Sequence, residues 1–276
     1  MQTQFLARFP CLRCCRAQKD ILALSQARTS LWRPFQISTK QQDKVREAGN
    51  LRVSAIIPAF NEADRIAGTI EALRQVEGID EIIVVDDGSV DGTANEAKLA
   101  GAGRVIVLTE NSGKGRALSR GVEEAQGDVL CFVDADLGHS AVQFNKLLIP
   151  VLQGEADMVV ASWPKGEKKG GFGLVKGIAA AGIRFLTGIR PSSPLSGQRV
   201  LRREVWEAGS FAGSGFGVEV GLTVKCLQSG CRMLEVPVVM RHRETGRNLS
   251  GFLHRGRQFV QVTRTLWLLW RRKERV

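Results

Sequence analysis

The chain has 276 residues, of which 43% are hydrophobic, so it is long enough to bury the core of one globular domain. Its net charge of +11 comes from the two ends: residues 1–50 carry nine Lys/Arg and three Asp/Glu, and residues 240–276 carry ten and two. The body between them, residues 51–239, carries 20 Lys/Arg and 23 Asp/Glu, and no zinc-finger or RNP-like motif occurs. Charge and motifs therefore disfavour a nucleic-acid-binding body.

The first fifty residues predict a basic, disordered N-terminal extension. Residues 1–39 hold six Lys/Arg and one acidic residue, a composition that also fits a transit peptide or a start codon placed too far upstream. They contain no long apolar core of a secretory signal, so we expect no export. Cys11 and Cys14 have a Cys-x-x-Cys spacing without the second pair that a zinc site needs. Six cysteines without a disulfide framework predict a reducing compartment, and we expect the cytoplasm.

Three apolar runs in the body each end in polar or acidic residues, and each run is typical of a strand buried on both faces. They are residues 53–60 followed by Asn61 and Glu62, residues 81–85 followed by Asp86 and Asp87, and residues 129–133 followed by Asp134 and Asp136. Ligands of open α/β sheets bind beyond the carboxyl ends of the strands. Three such ends therefore predict one shared crevice.

The Asp-Ala-Asp triplet that follows the third run predicts a metal site. Side chains alternate along a strand, so the carboxylates of Asp134 and Asp136 can point the same way. Their hard anionic oxygens suit Mg²⁺ or Mn²⁺, above all an ion that is shared with phosphate oxygens. Taken alone, the triplet fits an acidic turn equally well, because Asp is common in turns.

The rest of the body alternates between helical and strand patterns. The predicted helices are residues 64–75, a short helix opened by a capping box at Thr93 and Glu96, and residues 114–125, 140–153 and 219–228; the further predicted strands are residues 105–108, 158–161 and 233–239. Residues 164–173, rich in Gly and Lys, predict a loop. Such alternation predicts an α/β fold with a Rossmann-like, mostly parallel sheet and helices on both faces.

Two competing phosphate-binding motifs are excluded by their spacing. The Gly113-Lys114-Gly115 segment lacks the first glycine of a P-loop, since Leu108 stands there, and no Ser or Thr follows Lys114. The first strand ends in Pro58-Ala59 in place of a Gly-x-Gly-x-x-Gly turn. The sequence therefore predicts neither a P-loop kinase nor a dehydrogenase.

Four motifs in this order resemble those of the nucleotide-sugar-dependent glycosyltransferases of family 2, which have the GT-A fold. They are Pro58-Ala59-Phe60-Asn61-Glu62, Val85-Asp86-Asp87-Gly88-Ser89-Val90-Asp91-Gly92-Thr93, Asn111-Ser112-Gly113-Lys114-Gly115 and Asp134-Ala135-Asp136-Leu137. The resemblance covers about residues 53–239. It implies a GT-A catalytic domain at residues 51–240, a nucleotide-sugar donor (we expect a UDP-sugar) and Mg²⁺ or Mn²⁺ as cofactor.

The resemblance also implies which residues bind the donor. Pro58, Ala59 and Glu62 would line the nucleoside pocket, Asp87 with Gly88 would meet the uracil, Lys114 would reach base or phosphate, Asp134 would face ribose or metal, and Asp136 would bind the metal that bridges the diphosphate. Simpler interpretations stay open for two of them. Glu62 is also a favourable acid at a helix N-terminus, and Lys114 also fits a solvated surface lysine. Asp86 is expected to hold the turn.

The departing nucleoside diphosphate develops negative charge, which a metal ion, Lys or Arg can stabilise. The metal at Asp136 is thus expected to be catalytic. A phosphate acceptor needs no general base, whereas a hydroxyl acceptor in an inverting reaction needs one. Glu219 is the candidate for base or acceptor contact, and a helix cap fits it equally well. Family 2 implies inversion, whereas its phosphoglycerate-type relatives retain configuration, and both outcomes stay open.

The acceptor is predicted from two further segments. Ser196-Gly197-Gln198-Arg199 resembles the acceptor-side Ser-Gly-x-Arg of polyprenyl-phosphate sugar transferases, in which Arg199 would bind a phosphate. The alternative is a surface arginine that bridges two loops. Arg241, His242 and Arg243 resemble the end of the last strand in those enzymes and in glucosyl-3-phosphoglycerate synthases. There the two arginines would bind the acceptor, and His242 would complete the metal shell.

Residues 241–276 predict a basic amphipathic segment with two tryptophans. Such a helix can lie in an anionic membrane interface, or it can pack on the body or on a second subunit in a homodimer. It cannot span a bilayer, because its longest apolar run, residues 266–270, is far short of the ~20 residues required. We expect a cytoplasmic protein, with peripheral contact at the inner membrane face as the alternative.

The sequence thus predicts a metal-dependent transferase that moves a sugar, expected to be glucose, from a UDP-sugar to a phosphate-bearing acceptor. The alternative acceptor is a polyprenyl phosphate, although Gln198 replaces a usual large apolar residue and no C-terminal transmembrane pair is present. Two other classes are disfavoured. A sugar nucleotidyltransferase would open with a glycine-rich first loop, and a non-catalytic binding module would be expected to lose Asp87, Asp134 and Asp136.

Overall fold

The structure is a computed structural model that describes residues 51–163, 173–208, 217–241 and 249–273. Its strands are β1 (Val53–Ala59), β2 (Glu81–Asp86), β3 (Arg104–Val107), β4 (Val129–Phe132), β5 (Met158–Ser162), β6 (Arg199–Arg202) and β7 (Met233–Pro237). Its helices are α1 (Ile66–Leu73), α2 (Thr93–Leu99), α3 (Lys114–Glu124), a 3₁₀ helix (Gly138–Gln143), α4 (Phe144–Leu152), α5 (Leu174–Thr187), α6 (Arg203–Glu207), α7 (Gly217–Gln228) and α8 (Leu249–Lys273).

The seven strands form one mixed sheet in the order β3-β2-β1-β4-β6-β5-β7. β6 runs antiparallel to both of its neighbours, and the other strand pairs are parallel. The predicted α/β fold with a mostly parallel sheet is confirmed. The antiparallel β6 was not predicted, because residues 196–199 had been interpreted only as an acceptor motif.

Both faces of the sheet are covered by helices, which is why its central strands are apolar at nearly every position. In β1, Ile57 packs in one core cluster with Phe144 of α4, whereas its neighbour Ile56 packs in another with Leu118 of α3. All four are at most 2% exposed. Full burial of each such side chain stabilises the fold by about 1.5–3 kcal/mol.

The chain order places a crevice at the carboxyl ends of β1 and β4. From β1 the chain builds β2 and β3 on one side of the sheet, and it then returns to place β4 on the other side of β1. The connections after β1 and β4 thus diverge, and such a switch point is where open α/β sheets bind their ligands. The loops that follow β1, β2 and β4 meet there.

Two details of the predicted helices are wrong. The structure begins α2 at Thr93 with Gly92 as the residue before it, and Thr93 forms no capping box; its hydroxyl donates to Asp91 Oδ1 at 2.5 Å instead. The helix predicted for residues 140–153 is a 3₁₀ helix followed by α4. At Thr93 a tertiary contact occupies the hydroxyl that the capping box would use, because it also accepts from Glu62 N–H at 2.9 Å.

Helix α8 packs across α5 and α7 through one face. Val262 is fully buried, and Leu266 and Leu269 pack beside it. A Cβ on Gly182 of α5 would lie 2.4 Å from Leu266 Cδ1, so this glycine allows the close approach of the two helices. No helix in the described ranges combines the length and the apolar character needed to cross a membrane.

An ion pair between Asp157 and Arg232 joins the residues that precede β5 and β7. It predicts that the stability of the fold decreases in acid. Asp157 accepts from the Arg232 N–H at 2.7 Å and from its Nη2 at 2.9 Å. The hydrogen bond from the Arg232 side chain is the main cause that lowers the pKa of Asp157. Asp157→Asn should lower the Tm by about 2 °C at pH 7.

The sign of the pH effect follows from that lowered pKa. The carboxylate contributes stability above its unfolded pKa of about 3.9, and the contribution is lost as the pH falls through the lower folded value. The Tm difference between wild type and Asp157→Asn should therefore shrink between pH 5 and pH 3 in scanning fluorimetry. A difference that is constant over this range would contradict the assignment.

Candidate functional site

The loop after β2 is bound to the loop before α3 through Asp87. Its Oδ1 accepts from Ser112 N–H at 2.8 Å and its Oδ2 from Gly113 N–H at 2.7 Å. Gly88 has φ +78°, and a Cβ there would lie 2.8 Å from the carbonyl carbon of Glu110, so only glycine fits the contact between the loops. Each carboxylate oxygen keeps a second acceptor site. The predicted contact of Asp87 with uracil stays a prediction.

The loops after β1 and β2 are also joined to each other. Asp86 Oδ1 accepts from Ser89 N–H at 2.8 Å, so Asp86 holds the turn. The Ser89 hydroxyl accepts from Asn61 N–H at 2.9 Å, and Asn61 Oδ1 accepts from Val90 N–H at 3.0 Å. Asn61 has φ +54°, a left-handed conformation that asparagine tolerates better than most residues. These bonds close one wall of the crevice.

The predicted nucleoside-pocket residues lie on this wall. Pro58 and Ala59 end β1 opposite Val85 and Asp86 of β2. The carbonyl of Glu62 accepts from Arg65 N–H at 3.0 Å, and its side chain is half-buried. Glu62 thus begins the turn into α1, but it precedes the N-cap residue Arg65 by three positions, so the alternative of an acid in the first helical turn is wrong. Its role toward a nucleoside stays a prediction.

At the centre of the crevice, four polar residues from four elements contact one another. Lys114, the first residue of α3, has its Nζ 2.6 Å from Asp134 Oδ1 and 3.1 Å from Glu219 Oε1. Gln198 Nε2, just before β6, donates to Asp134 Oδ2 at 2.6 Å. Lys114, Asp134, Gln198 and Glu219 are called the central cluster below. The structure thus brings together three residues predicted separately, and it adds Gln198.

The central cluster carries one positive and two negative charges. Burial by itself would lower the pKa of Lys114, but the carboxylates of Asp134 and Glu219 outweigh it and raise that pKa above its ordinary value. Lys114 therefore stays protonated throughout the physiological range. Glu219 is 3% exposed, and its Oε2 has no hydrogen-bond partner among the described residues. A cation and an acceptor oxygen are thus both available at the cluster.

The chain approaches the central cluster most closely at Gly197. A Cβ at this position would lie 2.4 Å from Lys114 Nζ and 2.8 Å from Asp134 Oδ2. Gly197→Ala should therefore separate the Lys114–Asp134 pair and reduce kcat about tenfold or more, because small displacements of catalytic groups are costly. The measurement is steady-state turnover at a temperature where circular dichroism shows the variant folded. Gly177→Ala is the matched control, since a Cβ there meets nothing within 4 Å.

Arg199, predicted to grip the acceptor phosphate, lies behind the loop that carries Gly197. Its side chain is buried at 1% exposure, with Nε donating to the Ser196 carbonyl at 2.9 Å and Nη1 to Thr223 Oγ1 at 2.9 Å. Burial lowers the pKa of Arg199 to about 10, so it stays charged at neutral pH. This placement does not favour direct contact with an acceptor. The guanidinium supports the loop from the interior, so the alternative of a surface arginine is wrong as well.

Glu235 of β7 is a second buried charged residue, and it accepts hydrogen bonds from the start of the loop that carries Gly197. Its Oε1 accepts from Ser193 N–H at 2.9 Å, and its Oε2 accepts from the N–H and the hydroxyl of Ser192. The segment 192–198 is thus bound at both ends by buried ionic side chains before it reaches the central cluster. The sequence pattern gave no reason to select Glu235, because its partners are distant in sequence.

The turn that carries Asp136 is held by bonds to its flanking residues. The Thr69 hydroxyl donates to the Ala135 carbonyl at 2.8 Å and accepts from Gly138 N–H at 2.8 Å. Arg65 Nη1 also donates to the carbonyl of Asp136, at 3.4 Å. The half-buried Asp136 side chain follows β4 by four residues and lies two residues beyond Asp134.

The described residues contain no cluster of three or more His, Cys, Asp or Glu that could hold a metal ion by itself. Mg²⁺, however, is commonly held by one or two carboxylates together with substrate phosphates. Both carboxylate oxygens of Asp134 are bound, to Lys114 and to Gln198, and the predicted binding of such an ion by Asp136 stays a prediction. His242, its predicted partner, and Arg243 lie outside the described residues. Arg241 is exposed, and its N–H donates to Ser140 Oγ at 3.0 Å.

The comparison with known families agrees with this site. Residues 54–205 match the family described as Glycosyl transferase family 2. The chain belongs to glycosyl transferase family 2. The matched range ends inside α6 and includes the three strand ends, Lys114, the Asp-Ala-Asp triplet and Gln198, whereas Glu219 lies beyond it.

Two curated relatives in this family differ in the acceptor that they are named for. A glucosyl-3-phosphoglycerate synthase from Mycolicibacterium paratuberculosis is 35% identical over 195 residues, which are 62% of this chain and 59% of the relative. The chain thus aligns with less than two thirds of that synthase. An undecaprenyl-phosphate mannosyltransferase from Micrococcus luteus is 30% identical over 235 residues, which are 78% of this chain and 93% of the relative.

Solved structures of the Mycobacterium tuberculosis glucosyl-3-phosphoglycerate synthase have the same fold. Its complex with Mn²⁺, UDP-glucose and phosphoglyceric acid has a TM-score of 0.69 and 29% identity, and covers 86% of each chain. Its complex with Mg²⁺ and UDP has a TM-score of 0.70 and 30% identity, covering 86% of this chain and 85% of the other. The predicted GT-A-type architecture and the transferase class are therefore confirmed.

Proposed function

We propose that this family 2 glycosyltransferase moves glucose from UDP-glucose to a small phosphate-bearing acceptor, with Mg²⁺ or Mn²⁺ as cofactor. The observation that carries the proposal is the central cluster, which places a charged lysine and a buried carboxylate beside the Asp-Ala-Asp turn at the switch point of the sheet. The likeness to a synthase with solved UDP and metal complexes supports the donor and the cofactor.

The donor side of the reaction needs positive charge where the diphosphate leaves. Asp136 would hold the metal ion, which when bound would neutralise charge on the departing diphosphate. Lys114 is protonated at neutral pH and lies beside Asp134, so it can donate hydrogen bonds to phosphate or ribose oxygens without a change of charge state. Asp86 and Asp87 accept hydrogen bonds from backbone N–H groups of the loops after β2 and before α3, and these loops would surround the nucleoside.

The acceptor side depends on Glu219 and on the loop that ends at Gln198. Glu219 Oε1 contacts Lys114, so Oε2 is the oxygen that can accept a hydroxyl hydrogen from the sugar or the acceptor. A hydroxyl acceptor would use it as a hydrogen-bond partner or base, and a phosphate acceptor would need no base. Gln198 is fully buried and donates to Asp134, which fixes the orientation of that carboxylate.

A polyprenyl phosphate is the second candidate acceptor. It is favoured by the mannosyltransferase relative, of which this chain covers 93%, and by the exposed basic and aromatic face of α8. The small acceptor is preferred because the structures with 86% mutual coverage belong to a synthase solved with phosphoglyceric acid. The cytoplasmic location stays a prediction from the cysteine pattern.

Ligand-dependent stabilisation tests the donor, and product formation tests the acceptor. UDP-glucose with Mn²⁺ should raise the Tm more than GDP-mannose does, because a ligand that binds only the folded state stabilises it by mass action. Turnover would then be compared with 3-phosphoglycerate and with a short polyprenyl phosphate. Transfer to the lipid alone would favour the second candidate, and no shift with any nucleotide would contradict the donor site.

Asp136→Asn isolates the metal in the same assay. It keeps the shape of the side chain but removes the charge, so the Mn²⁺-dependent part of the Tm shift should disappear and kcat should fall about a hundredfold or more. Asp128→Asn is the matched control: Asp128 is an exposed acid whose Oδ2 accepts from Arg52 N–H, and it lies at the opposite end of β4. An unchanged metal dependence in Asp136→Asn would overturn the assignment.

A further inference from the structure

The outward face of α8 has a composition unlike the rest of the body. Val260, Arg264, Trp267 and Arg271 are spaced four, three and four residues apart, which places them on one face of the helix. All four are exposed, Val260 at 60% and Trp267 at 45%. This face lies opposite the stripe of Val262, Leu266 and Leu269 that packs on α5 and α7. The packing of α8 on the body thus leaves a second apolar surface in solvent.

Positive charge is concentrated on α8 and on the neighbouring helix α5. Helix α5 carries two Lys/Arg and α8 carries six, and neither helix contains an Asp or a Glu. The rest of the body is mildly acidic: residues 51–239 have a net charge of −3 although they include α5. Arg271 also lies over the Trp267 ring, with its guanidinium carbon 4.0 Å from the ring centroid. The exposed Trp267 ring is therefore in contact with a cation on the same helix face.

We propose that the outward face of α8, with the neighbouring α5, docks on an anionic lipid surface. Exposed tryptophan and valine can enter the headgroup boundary while arginines on the same face contact lipid phosphates. A further exposed aromatic residue, Phe185 of α5, is 73% exposed and follows Arg184. The helix lies on the surface and does not cross it, in agreement with the absence of a spanning helix in the described ranges.

A second copy of the chain is a poorer occupant of this face. A two-fold dimer sets the same patch of each subunit against the other. Arg264 and Arg271 would then face a surface on which α5 and α8 offer no acid, and like charges would repel. Nucleic acid would satisfy the arginines but would leave Val260 and Leu268 exposed to water or set against a polar backbone. The face fits a partner that is both anionic and apolar.

Vesicle co-sedimentation of the full chain tests the proposal. The protein should bind vesicles that contain one third phosphatidylglycerol at least tenfold more tightly than vesicles of phosphatidylcholine alone, and high salt should weaken this binding. Arg264→Glu/Arg271→Glu should reduce the affinity tenfold or more, since each basic residue near an anionic surface contributes about fivefold. Trp267→Ser should reduce it on both lipid mixtures.

A charge-matched control separates this face from the net charge of the protein. Lys98→Glu/Lys146→Glu changes the charge by the same amount at exposed positions of α2 and α4, and it should bind vesicles within about twofold of wild type. Three results would each overturn the proposal: equal binding by Arg264→Glu/Arg271→Glu and wild type, binding to duplex DNA as tight as to vesicles, or a dimer in sedimentation velocity that this double variant dissociates.

The test is independent of the proposed function, because vesicle binding is measured without nucleotide or acceptor. If UDP-glucose fails to stabilise the protein while vesicles still bind, the donor assignment is wrong and the lipid surface stands. If UDP-glucose stabilises the protein but the protein does not bind the vesicles, the lipid-docking proposal is wrong and the donor assignment stands.

Discussion

Lys114→Met should reduce kcat at least a hundredfold. The substitution keeps the length of the side chain but removes the one cation that, among the described residues, lies within 3.1 Å of both Asp134 and Glu219. Loss of one pre-positioned donor at a developing negative charge typically costs 10²–10³ in rate, about 2.7–4 kcal/mol. The measurement is kcat and KM for the nucleotide sugar under saturating metal, with the Tm shift by UDP as an independent readout of donor binding.

Folding has to be separated from catalysis in this variant, since the buried Glu219 and the half-buried Asp134 lose their counter-ion. Lys114→Met/Glu219→Gln restores the lost charge balance and should recover the Tm of the free enzyme without recovering turnover. Lys98→Met, at an exposed position of α2, should behave as wild type in every assay. Activity of Lys114→Met within about threefold of wild type would show that Lys114 has a structural role and no role in the reaction.

Arg199→Met should be the most destabilising substitution in the described part of the site. The guanidinium donates to Ser196 and Pro194 carbonyls and to Thr223 Oγ1, and removal leaves these acceptors buried and unpaired. Breaking a buried charged network costs about 3–5 kcal/mol. The Tm should fall by about 10 °C, given about 2–4 °C for each kcal/mol in a domain of this size. Differential scanning calorimetry provides the measurement.

Two further variants decide what Arg199 does. Arg199→Lys retains the charge but loses the planar fork, so it should recover only part of the Tm. Arg190→Met removes an exposed arginine that lies just before the same loop, and surface substitutions of this kind usually change stability by less than about 0.5 kcal/mol. An unchanged Tm in Arg199→Met, combined with a raised KM for the acceptor alone, would restore the predicted contact with the acceptor phosphate.

Local patterns predicted that the polar strand ends converge. The apolar runs of β1, β2 and β4 and the acids that follow them are contiguous in sequence, and the carboxyl ends of parallel strands meet at one edge. Their spacing was therefore sufficient to bring Asp86, Asp87 and Asp134 into one crevice. Asp86 and Asp87 each accept backbone N–H groups, so each of them stabilises a loop at this edge.

The other side of the site depends on contacts between residues that are far apart in sequence. Nothing local marks Gly197 as the position where a side chain would collide with Lys114 and Asp134, or Glu235 as the anchor of Ser192 and Ser193. β6 was missed for the same reason, because a four-residue antiparallel strand is stabilised by β4 and β5 on either side of it and not by its own pattern.

The sequence alone thus determined the family, the strand ends and the residues able to carry charge, because motifs and hydrophobic periodicity are properties of neighbouring residues. The tertiary structure decided which of those charges meet. It paired Lys114 with Glu219 of α7, turned Arg199 into the interior and left one face of α8 outside the core. Each of these outcomes depends on how separate elements pack, and a side chain's partner across the fold is not encoded in its immediate neighbours.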